Sequence, residues 1–476
     1  MKRFSSPLTY NFQSGIFDID RFLDETKSKS NNNNSSTTIS DNNNNNNKSS
    51  LKWIPYNEFS NIKEIGKGGF GVVYEAIWHD APEQKIDLIW NKKRVALKVL
   101  RYSTNDDQST DFLNELKLHY RCMDSGRVLP CYGISQEPQT NNYILVMQYA
   151  SEGNLRNYLS TSFARFDWWK KVNMLRDIVI GLQSIHNEGL VHHDFHSGNI
   201  LRHGYGNDSN NLDTYISDLG LCHPVDKNHT KSKVIGVLPY LAPEVLRGEK
   251  YTKAADIYSL GIIMWEITTS DKPFYDRSHD NRLAIEICLG LRPKLMPGTP
   301  ECYAQVMQKC WNADPLSRPT AEELFVMLKQ FKEISNYRTQ IGEAELIRFG
   351  VIENILSTKS HKSIHPEAIY SSRLLEFSDL PQPKNADPVS IPTPNAYLRR
   401  RANSVTFHNR RPNNKQTNRR SVQIQSVSST FNERRHSRSF SSDEVAENLN
   451  LGMRRLSLSL GPSKDLNAIN EELFED

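Results

Sequence analysis

A glycine-rich segment near the start of the chain has the spacing needed to bind phosphate. The motif G-x-G-x-x-G-x-V is formed by Gly66, Lys67, Gly68, Gly69, Phe70, Gly71, Val72 and Val73. Glycines let the backbone approach phosphate oxygens closely and leave its N–H groups free to bind them. A hairpin with turn glycines would look similar, whereas a dinucleotide-binding loop would continue into a helix. Because Val72 and Val73 continue a strand, the dinucleotide interpretation is disfavoured and the other two stay open.

A single lysine stands within an apolar run farther along the chain. Lys98 ends the segment Val95-Ala96-Leu97-Lys98, which has the composition of a strand. A lone lysine on a strand usually faces solvent, but beside a phosphate-binding loop it could reach phosphates and pair with a carboxylate. We expect the partner to be Glu115, on the next helical segment, with Asp111 as a nearby competitor.

The most specific pattern lies in the middle of the chain. It reads H-x-D-x-x-x-x-N, from His192 through Asp194 to Asn199. The segments Asp218-Leu219-Gly220 and Ala242-Pro243-Glu244 follow it in that order. Two histidines beside an aspartate could suggest a metal site, but the surrounding motifs argue against that interpretation.

Together with the glycine motif and Lys98, these segments resemble the eukaryotic protein kinase superfamily. The resemblance covers about residues 57–333, and the motifs occur in the family's order and spacing. It implies an α+β fold of two lobes, a small β-rich N-lobe and a larger α-helical C-lobe. It also implies ATP and Mg²⁺ as cofactors. The segments Gly261–Glu266 and Cys310–Pro319 look like the tyrosine-kinase-like branch.

The resemblance implies a role for each matching residue. Asp194 would orient the substrate hydroxyl and accept its proton, while Asn199 and Asp218 would supply oxygen ligands to Mg²⁺. Lys98 would hold the α- and β-phosphates of ATP, and Glu115 would hold Lys98. The nucleotide site would include the glycine motif up to Val73. It would also include Ala96, the gatekeeper Met147, and the linker residues Gln148, Tyr149 and Ala150.

Two further matches concern the support of the large lobe. Asp256 matches the helical aspartate that braces the catalytic loop in the family. Arg318 matches the arginine that pairs with the glutamate of the A-P-E motif, here Glu244. We expect both to be structural residues.

The chain departs from the family pattern at His193, where an arginine is usual. In the family that arginine binds the phosphate of the activation loop. Histidine has an ordinary pKa of about 6.5 and is mostly neutral at cytosolic pH, so it would bind a phosphate weakly. We therefore expect activity to depend little on phosphorylation of Thr230 or Ser232, the candidate sites in this loop. Leu219 replaces a phenylalanine, but both are apolar.

The acceptor hydroxyl is encoded less directly. Serine/threonine kinases usually carry a lysine where this chain has His196, and tyrosine kinases carry an arginine pattern that His196-Ser197-Gly198 lacks. We expect a serine/threonine kinase of the tyrosine-kinase-like branch. A tyrosine or dual-specificity kinase and an ATP-binding pseudokinase scaffold are the alternatives.

These motifs need elements to position them, and the sequence predicts strands before helices. Short β-branched runs such as Val95–Val99 and Tyr143–Met147 come first. A helical pattern follows over Val172–Ile185, with Asp167 as its N-cap. A strand-rich segment before a helix-rich one indicates two unequal lobes, and we place the kinase domain at residues 53–335.

The residues on either side differ in composition. Residues 1–52 form a low-complexity tail with Asn- and Ser-rich tracts, which bury too little apolar surface to fold. Residues 336–476 are predicted to be largely disordered, basic and then acidic, with a helical pattern over Gly342–Ile355. Phosphorylation of tail serines that follow arginines could recruit phospho-dependent readers, and the candidates are Ser404, Ser437 and Ser457.

The bulk composition bounds the remaining possibilities. A net charge of +4 is too close to balance for a specific nucleic-acid binder. The six cysteines form neither C-x-x-C nor a zinc-ligand spacing, which indicates reduced thiols. No apolar run suits a signal peptide or a membrane span. We therefore expect a cytoplasmic protein whose partners are ATP and protein substrates.

Overall fold

The computed structural model describes residues 17–33, 50–68, 71–79, 81, 92–100, 108–162, 166–204, 212–224, 234–357, 363–377 and 379–385. The chain divides into two compact units, residues 1–344 with 360–391 and residues 345–359 with 392–476. The second unit is described only over the end of one helix, where Arg348 pairs with Glu345.

The small lobe is built on a six-stranded sheet. Over both lobes, the described strands are β1 (Lys52–Trp53), β2 (Phe59–Gly68), β3 (Gly71–Trp78), β4 (Lys93–Leu100), β5 (Cys131–Gln136), β6 (Tyr143–Gln148), β7 (Gly153–Asn154), β8 (Leu190–Val191), β9 (Ile200–Gly204), β10 (Leu212–Ile216), β11 (His223–Pro224), β12 (Val234–Gly236) and β13 (Arg373–Leu375). The sheet has the order β1-β5-β6-β4-β3-β2, and β1 runs parallel to β5. The central strand β4 is buried over Val95–Lys98, which explains its nearly continuous apolar sequence.

The large lobe is mainly helical. Over both lobes, the described helices are α1 (Phe17–Asn33), α2 (Gln108–Cys122), α3 (Leu155–Ser162), α4 (Trp168–Asn187), α5 (Pro243–Leu246), α6 (Lys253–Thr269), α7 (Asn281–Cys288), α8 (Glu301–Cys310), α9 (Ala321–Glu333) and α10 (Ser335–Ser357). Helix α6 is buried over Ala255–Thr268 and forms the centre of this lobe. Helix α4 begins at its predicted N-cap, because the Asp167 side chain accepts a hydrogen bond from the Lys170 N–H at 2.7 Å. The predicted α+β fold of two lobes is confirmed.

A hairpin of the large lobe positions two of the predicted functional residues. Strands β9 and β10 pair antiparallel, so Asn199 directly before β9 lies beside Ser217 directly after β10. The Ser217 N–H donates to the Asn199 carbonyl at 2.9 Å. The hairpin therefore brings Asn199 and Asp218 together, although their motifs are separate in sequence.

Helix α1 packs against the small lobe, whereas the sequence places this segment in the N-terminal tail. Ile19, Phe22 and Leu23 are buried at helical spacing and belong to the same hydrophobic cluster as Phe112 and Leu116 of α2. The predicted low-complexity tail of residues 1–52 therefore includes an amphipathic helix that packs on the small lobe.

The chain also forms defined structure beyond residue 335, where the sequence predicts a largely disordered tail. Helix α10 places Ile341 and Ala344 in the core of the large lobe, in line with the helical pattern noted above. Residues 363–377 and 379–385 belong to the same compact unit as the lobes, and Leu375 is buried in that core. The tail serines Ser404, Ser437 and Ser457 lie outside the described residues.

The thiols and the helices bear on two further expectations. All six cysteines are buried thiols outside any disulfide. Burial raises the pKa of Cys131 and of Cys310 to about 12, so both thiols stay protonated at neutral pH.

Among the helices of the described part, none is long and apolar enough to cross a bilayer.

Candidate active site

A cleft of about 400 Å³ brings together residues that are far apart in the sequence. The predicted nucleotide-binding and metal-binding residues that line it are Gly66, Lys67, Gly71, Val73, Ala96, Lys98, Met147, Gln148, Tyr149, Ala150, Asn199 and Asp218. Gly68 pairs with Gly71 where β2 meets β3, and Gly69 and Phe70 lie outside the described residues. The cleft volume is in the range of about 300 to 1,000 Å³ that is usual for small-molecule sites.

Lys98 lies at the centre of an ion-pair network on the small-lobe side of the cleft. Its Nζ donates to Glu115 Oε1 and to Asp218 Oδ1, both at 2.8 Å. Burial alone would lower the pKa of Lys98, but the two carboxylates outweigh burial and raise it, so the lysine is a permanent cation. The structure thus gives Glu115 as a partner, and it adds Asp218, which the sequence did not predict as a contact of the lysine. The side chain of Asp111 lies outside the described part.

The backbone at Asp218-Leu219-Gly220 is shaped to allow this network. Asp218 has a φ of 63°, which directs its carboxylate back toward Lys98. A Cβ at Gly220 would lie 3.1 Å from Glu115 Oε2, so a side chain there would press on the glutamate. Burial would raise the pKa of Asp218, but the Lys98 ammonium lowers it below its ordinary value. Asp218 is therefore ionised at neutral pH.

Asp194 and Asn199 lie on one loop and are held together. The Asn199 side-chain amide donates from Nδ2 to the Asp194 carbonyl at 2.9 Å. The Asp194 carboxylate is buried, and burial would raise its pKa, but the neighbouring His196 more than offsets this and lowers it. A buried carboxylate is thus kept as an anion, as a proton acceptor requires.

Asp256 braces this loop from the buried helix α6. Its carboxylate accepts from the His192 N–H at 2.8 Å and from the His193 N–H at 3.3 Å, and its Oδ2 lies 2.9 Å from His186 Nε2. His193 has a φ of 68°, so the loop bends sharply at the point where Asp256 holds it. The predicted role of Asp256 as a brace is confirmed.

The second predicted brace joins two distant segments of the large lobe. Arg318 binds Glu244 through two parallel hydrogen bonds, Nη1 to Oε1 at 2.7 Å and Nη2 to Oε2 at 2.8 Å. Both side chains are buried, and the fork geometry matches a carboxylate closely. The predicted pairing of Arg318 with Glu244 is confirmed.

A family model for protein tyrosine and serine/threonine kinases matches residues 59–328. The matched segment is more than half of the chain and contains every residue of the cleft. This chain belongs to the protein kinase family. The predicted superfamily is therefore confirmed.

The kinase is similar to proteins of Dictyostelium discoideum. A probable serine/threonine-protein kinase is 29% identical over 294 residues, 59% of this chain and 15% of that protein. Cyclic GMP-binding protein C is 30% identical over 333 residues, 66% of this chain and 12% of the relative. The probable serine/threonine-protein kinase roco8 is 33% identical over 198 residues, 40% of this chain and 11% of the relative. The kinase thus spans only a small part of the length of these relatives.

Several residues that line the kinase's cleft were not predicted. They are Ile65, Leu129, Gly153, Asn154, Gly198, Leu201 and Ser217. Leu129 and Leu201 offer only an apolar surface, which many side chains can provide, so no motif marks them. A signal was available for Ser217, since it stands directly between β10 and Asp218.

The chemistry of the cleft fits ATP and a divalent cation, which family membership implies. Asn199 and Asp218 offer an amide and a carboxylate, the oxygen donors that hard cations prefer. Within the described ranges, no group of three or more His, Cys, Asp or Glu side chains is placed to hold a metal. The amide of Asn199 and the carboxylate of Asp218 therefore suit a hard divalent cation.

Proposed function

We propose that this kinase, of the tyrosine-kinase-like branch, transfers the γ-phosphate of ATP to serine or threonine hydroxyls of proteins. The observation that carries the proposal is the contact of Lys98 with both Glu115 and Asp218, at 2.8 Å each. Phosphoryl transfer depends mainly on positioning and on neutralising charge. The two carboxylates position the Lys98 ammonium, whose positive charge can neutralise phosphate. The loop of Asp194 and Asn199 lies beside them.

The small-lobe residues would bind the triphosphate. Lys98 carries the positive charge that the α- and β-phosphates need, and Glu115 keeps the ammonium pointing into the cleft. The glycine motif would cover the phosphates with backbone N–H groups. The adenine would lie against Met147, Gln148 and Ala150, which line the cleft where the lobes connect.

The large-lobe residues would bind the metal and the acceptor. When Mg²⁺ is bound it neutralises charge on the phosphates, and Asn199 and Asp218 would hold it. Asp194 would orient the acceptor hydroxyl and accept its proton, because its lowered pKa keeps it ionised at neutral pH.

The names of the relatives support serine or threonine as the acceptor. Two of the three described above are named as serine/threonine-protein kinases. A pseudokinase scaffold would have no need to retain Lys98, Asp194, Asn199 and Asp218 together.

The test is phosphate transfer from labelled ATP-Mg²⁺ to generic protein substrates, followed by phosphoamino-acid analysis. We expect label on serine or threonine that is lost in Asp194→Asn. Asp24→Asn makes the same chemical change on the exposed face of α1 and should leave transfer intact. Label on tyrosine would overturn the acceptor assignment. ATP binding without transfer by the unmodified protein would contradict the enzyme and favour the scaffold.

The remaining expectations belong to the same proposal. We propose residues 53–335 as the catalytic domain, which contains the segment matched by the family model. We also propose a cytoplasmic location, supported by six free thiols. Phosphorylated Ser404, Ser437 and Ser457 would recruit phospho-dependent partners.

A further inference from the structure

A segment that follows the proposed catalytic domain pairs with β12, the strand that comes just after the candidate phosphorylation sites Thr230 and Ser232 in the sequence. Strand β13 runs antiparallel to β12, with Arg373 opposite Gly236, Leu374 opposite Ile235 and Leu375 opposite Val234. The two strands are far apart in sequence, so this pairing is a tertiary contact. Strand β13 thus covers the edge that β12 would otherwise offer to another strand.

The edge of β12 lies beside the proposed catalytic carboxylate. A Cβ at Gly236 would lie 3.6 Å from Asp194 Oδ1. Arg373 is the residue that pairs with Gly236, so β13 lies directly beside the backbone that borders this carboxylate. A polypeptide whose hydroxyl is to meet Asp194 must pass near Gly236, and β13 is already paired with that residue.

The residues just before β13 are anchored to the catalytic loop. Arg156 donates from Nη1 to the Tyr370 carbonyl at 2.9 Å and from Nε to Ser197 Oγ at 3.3 Å. Ser197 follows His196 in the catalytic loop, so one guanidinium joins the segment to that loop. The Tyr370 hydroxyl donates to the Pro273 carbonyl at 2.9 Å, which fixes the segment on the large lobe.

Strand β13 itself is held by one buried side chain and one ion-dipole contact. Leu375 is 6% exposed and lies in the core cluster of the large lobe, while Leu374 on the opposite face is 47% exposed. Arg373 donates from Nη2 to the His279 carbonyl at 2.7 Å. Main-chain pairing with one side chain in a pocket is how an extended peptide binds to a sheet edge.

We propose that the edge of β12 and the Leu375 pocket form the protein-substrate surface of this kinase, and that residues 370–377 occupy it as an internal competitor. The proposal rests on the function proposed above. Protein substrates bind as an added strand against β12 and place an apolar side chain in the pocket that Leu375 fills. They must displace the segment first, whereas ATP, which binds in the separate cleft, does not compete with it.

The main experiment compares Leu375→Arg with the unmodified full-length chain. A buried leucine contributes enough to binding that its loss should release the segment at least about tenfold. We expect amide hydrogens of residues 373–375 to exchange faster, and the KM for a protein substrate to fall by a similar factor with the KM for ATP unchanged. Leu316→Arg makes the same change at a side chain that is 94% exposed, and it should alter neither quantity.

A binding measurement tests the surface without relying on catalysis. The probe is a fluorescent peptide with the sequence of residues 366–377, and its Leu375→Arg form is the control peptide. We expect the probe to bind Leu375→Arg protein at least about tenfold more tightly than the unmodified chain, because only the variant has a vacant surface. If neither the unmodified protein nor Leu375→Arg transfers phosphate, the proposed function is wrong, but the binding measurement still tests the surface.

Two results would overturn the proposal. One is faster exchange at residues 373–375 with an unchanged KM for the protein substrate. The other is equal binding of the probe to both proteins. If Leu375→Arg does not fold, Arg373→Ala replaces it, since Arg373 is only partly buried and its removal deletes the contact to His279.

Discussion

The imidazole Nε2 of His196 lies 3.6 Å from Oδ2 of Asp194, and both side chains are buried. The opposite ring nitrogen, Nδ1, accepts a hydrogen bond from the Gly198 N–H at 3.0 Å. Because a backbone N–H can only donate, Nδ1 carries no proton, and the imidazole proton of the neutral ring is on Nε2, facing Asp194. His196 thus stands where many kinases have a lysine, and it presents an N–H to the proposed base.

Replacing His196 should move the acid limb of the activity profile. Burial raises the pKa of Asp194, and His196 and His192 lower it, so His196→Leu removes the larger of the two opposing contributions and the pKa of Asp194 rises. The base is then protonated over a wider acid range, so the acid limb of the kcat/KM profile should move to higher pH while kcat/KM at pH 8 changes little. His196→Gln, which keeps an N–H donor, should show a smaller displacement. A uniform loss at all pH values would indicate a purely structural role.

Dephosphorylation should leave most of the activity. The ring of His193 stacks on Tyr251, with 4.4 Å between centroids and 26° between planes. The Tyr251 hydroxyl donates to the Ile235 carbonyl at 3.1 Å, so the catalytic loop is joined to β12 without a phosphate. We expect phosphatase treatment to reduce activity by no more than about twofold, since this link does not need the electrostatic ordering used by phosphorylation-dependent loops. Loss of activity that returns on rephosphorylation would contradict this. Thr230 and Ser232 lie outside the described residues.

Helix α1 should support the catalytic lysine through α2. Phe22 is 8% exposed and packs edge-on against Tyr120 of α2, with ring centroids 5.8 Å apart. Phe22→Ala should cost about 3 kcal/mol of unfolding free energy, within the range for buried phenylalanines. It should also lower activity, because Glu115 on α2 holds Lys98. Arg21→Ala, on the exposed face of α1, is the matched control and should change neither. Urea unfolding and kcat measure the two effects, and a stability loss without a change in kcat would refute the coupling.

The buried pair of Arg318 and Glu244 should be costly to break from one side. Their side chains are 0% and 6% exposed, so Arg318→Leu leaves a buried carboxylate without its partner. We expect a loss of about 3 to 5 kcal/mol in unfolding free energy. The double variant Arg318→Leu/Glu244→Leu should recover part of it, because no charge then stays buried.

An exposed ion pair provides the comparison for that prediction. Lys329 lies 3.5 Å from Glu333, and both side chains are more than half exposed. Lys329→Ala should cost less than about 1 kcal/mol. Similar losses for Lys329→Ala and Arg318→Leu would mean that burial does not decide the strength of the Arg318 pair.

The chemistry of the site could be inferred from the sequence because it depends on residue types at short spacing. Asp194 and Asn199 share one loop, and Lys98 is the charged residue of an apolar strand, so each could be recognised locally. The partner of Lys98 was open between Glu115 and Asp111, since helix spacing alone does not say which side chain faces the sheet.

Tertiary structure decided what depends on contacts between distant segments. The hairpin of β9 and β10 brings Asp218 beside Asn199, and the left-handed backbone at Asp218 turns its carboxylate to Lys98. Helix α1 shows an apolar face in its sequence, but only packing identifies α2 as its partner. The pairing of β13 with β12 has no local signal at all, because strand pairing follows from the whole fold and any short apolar stretch could serve. The sequence by itself therefore determined the kind of chemistry, and the fold decided which distant segments surround the proposed catalytic carboxylate of Asp194.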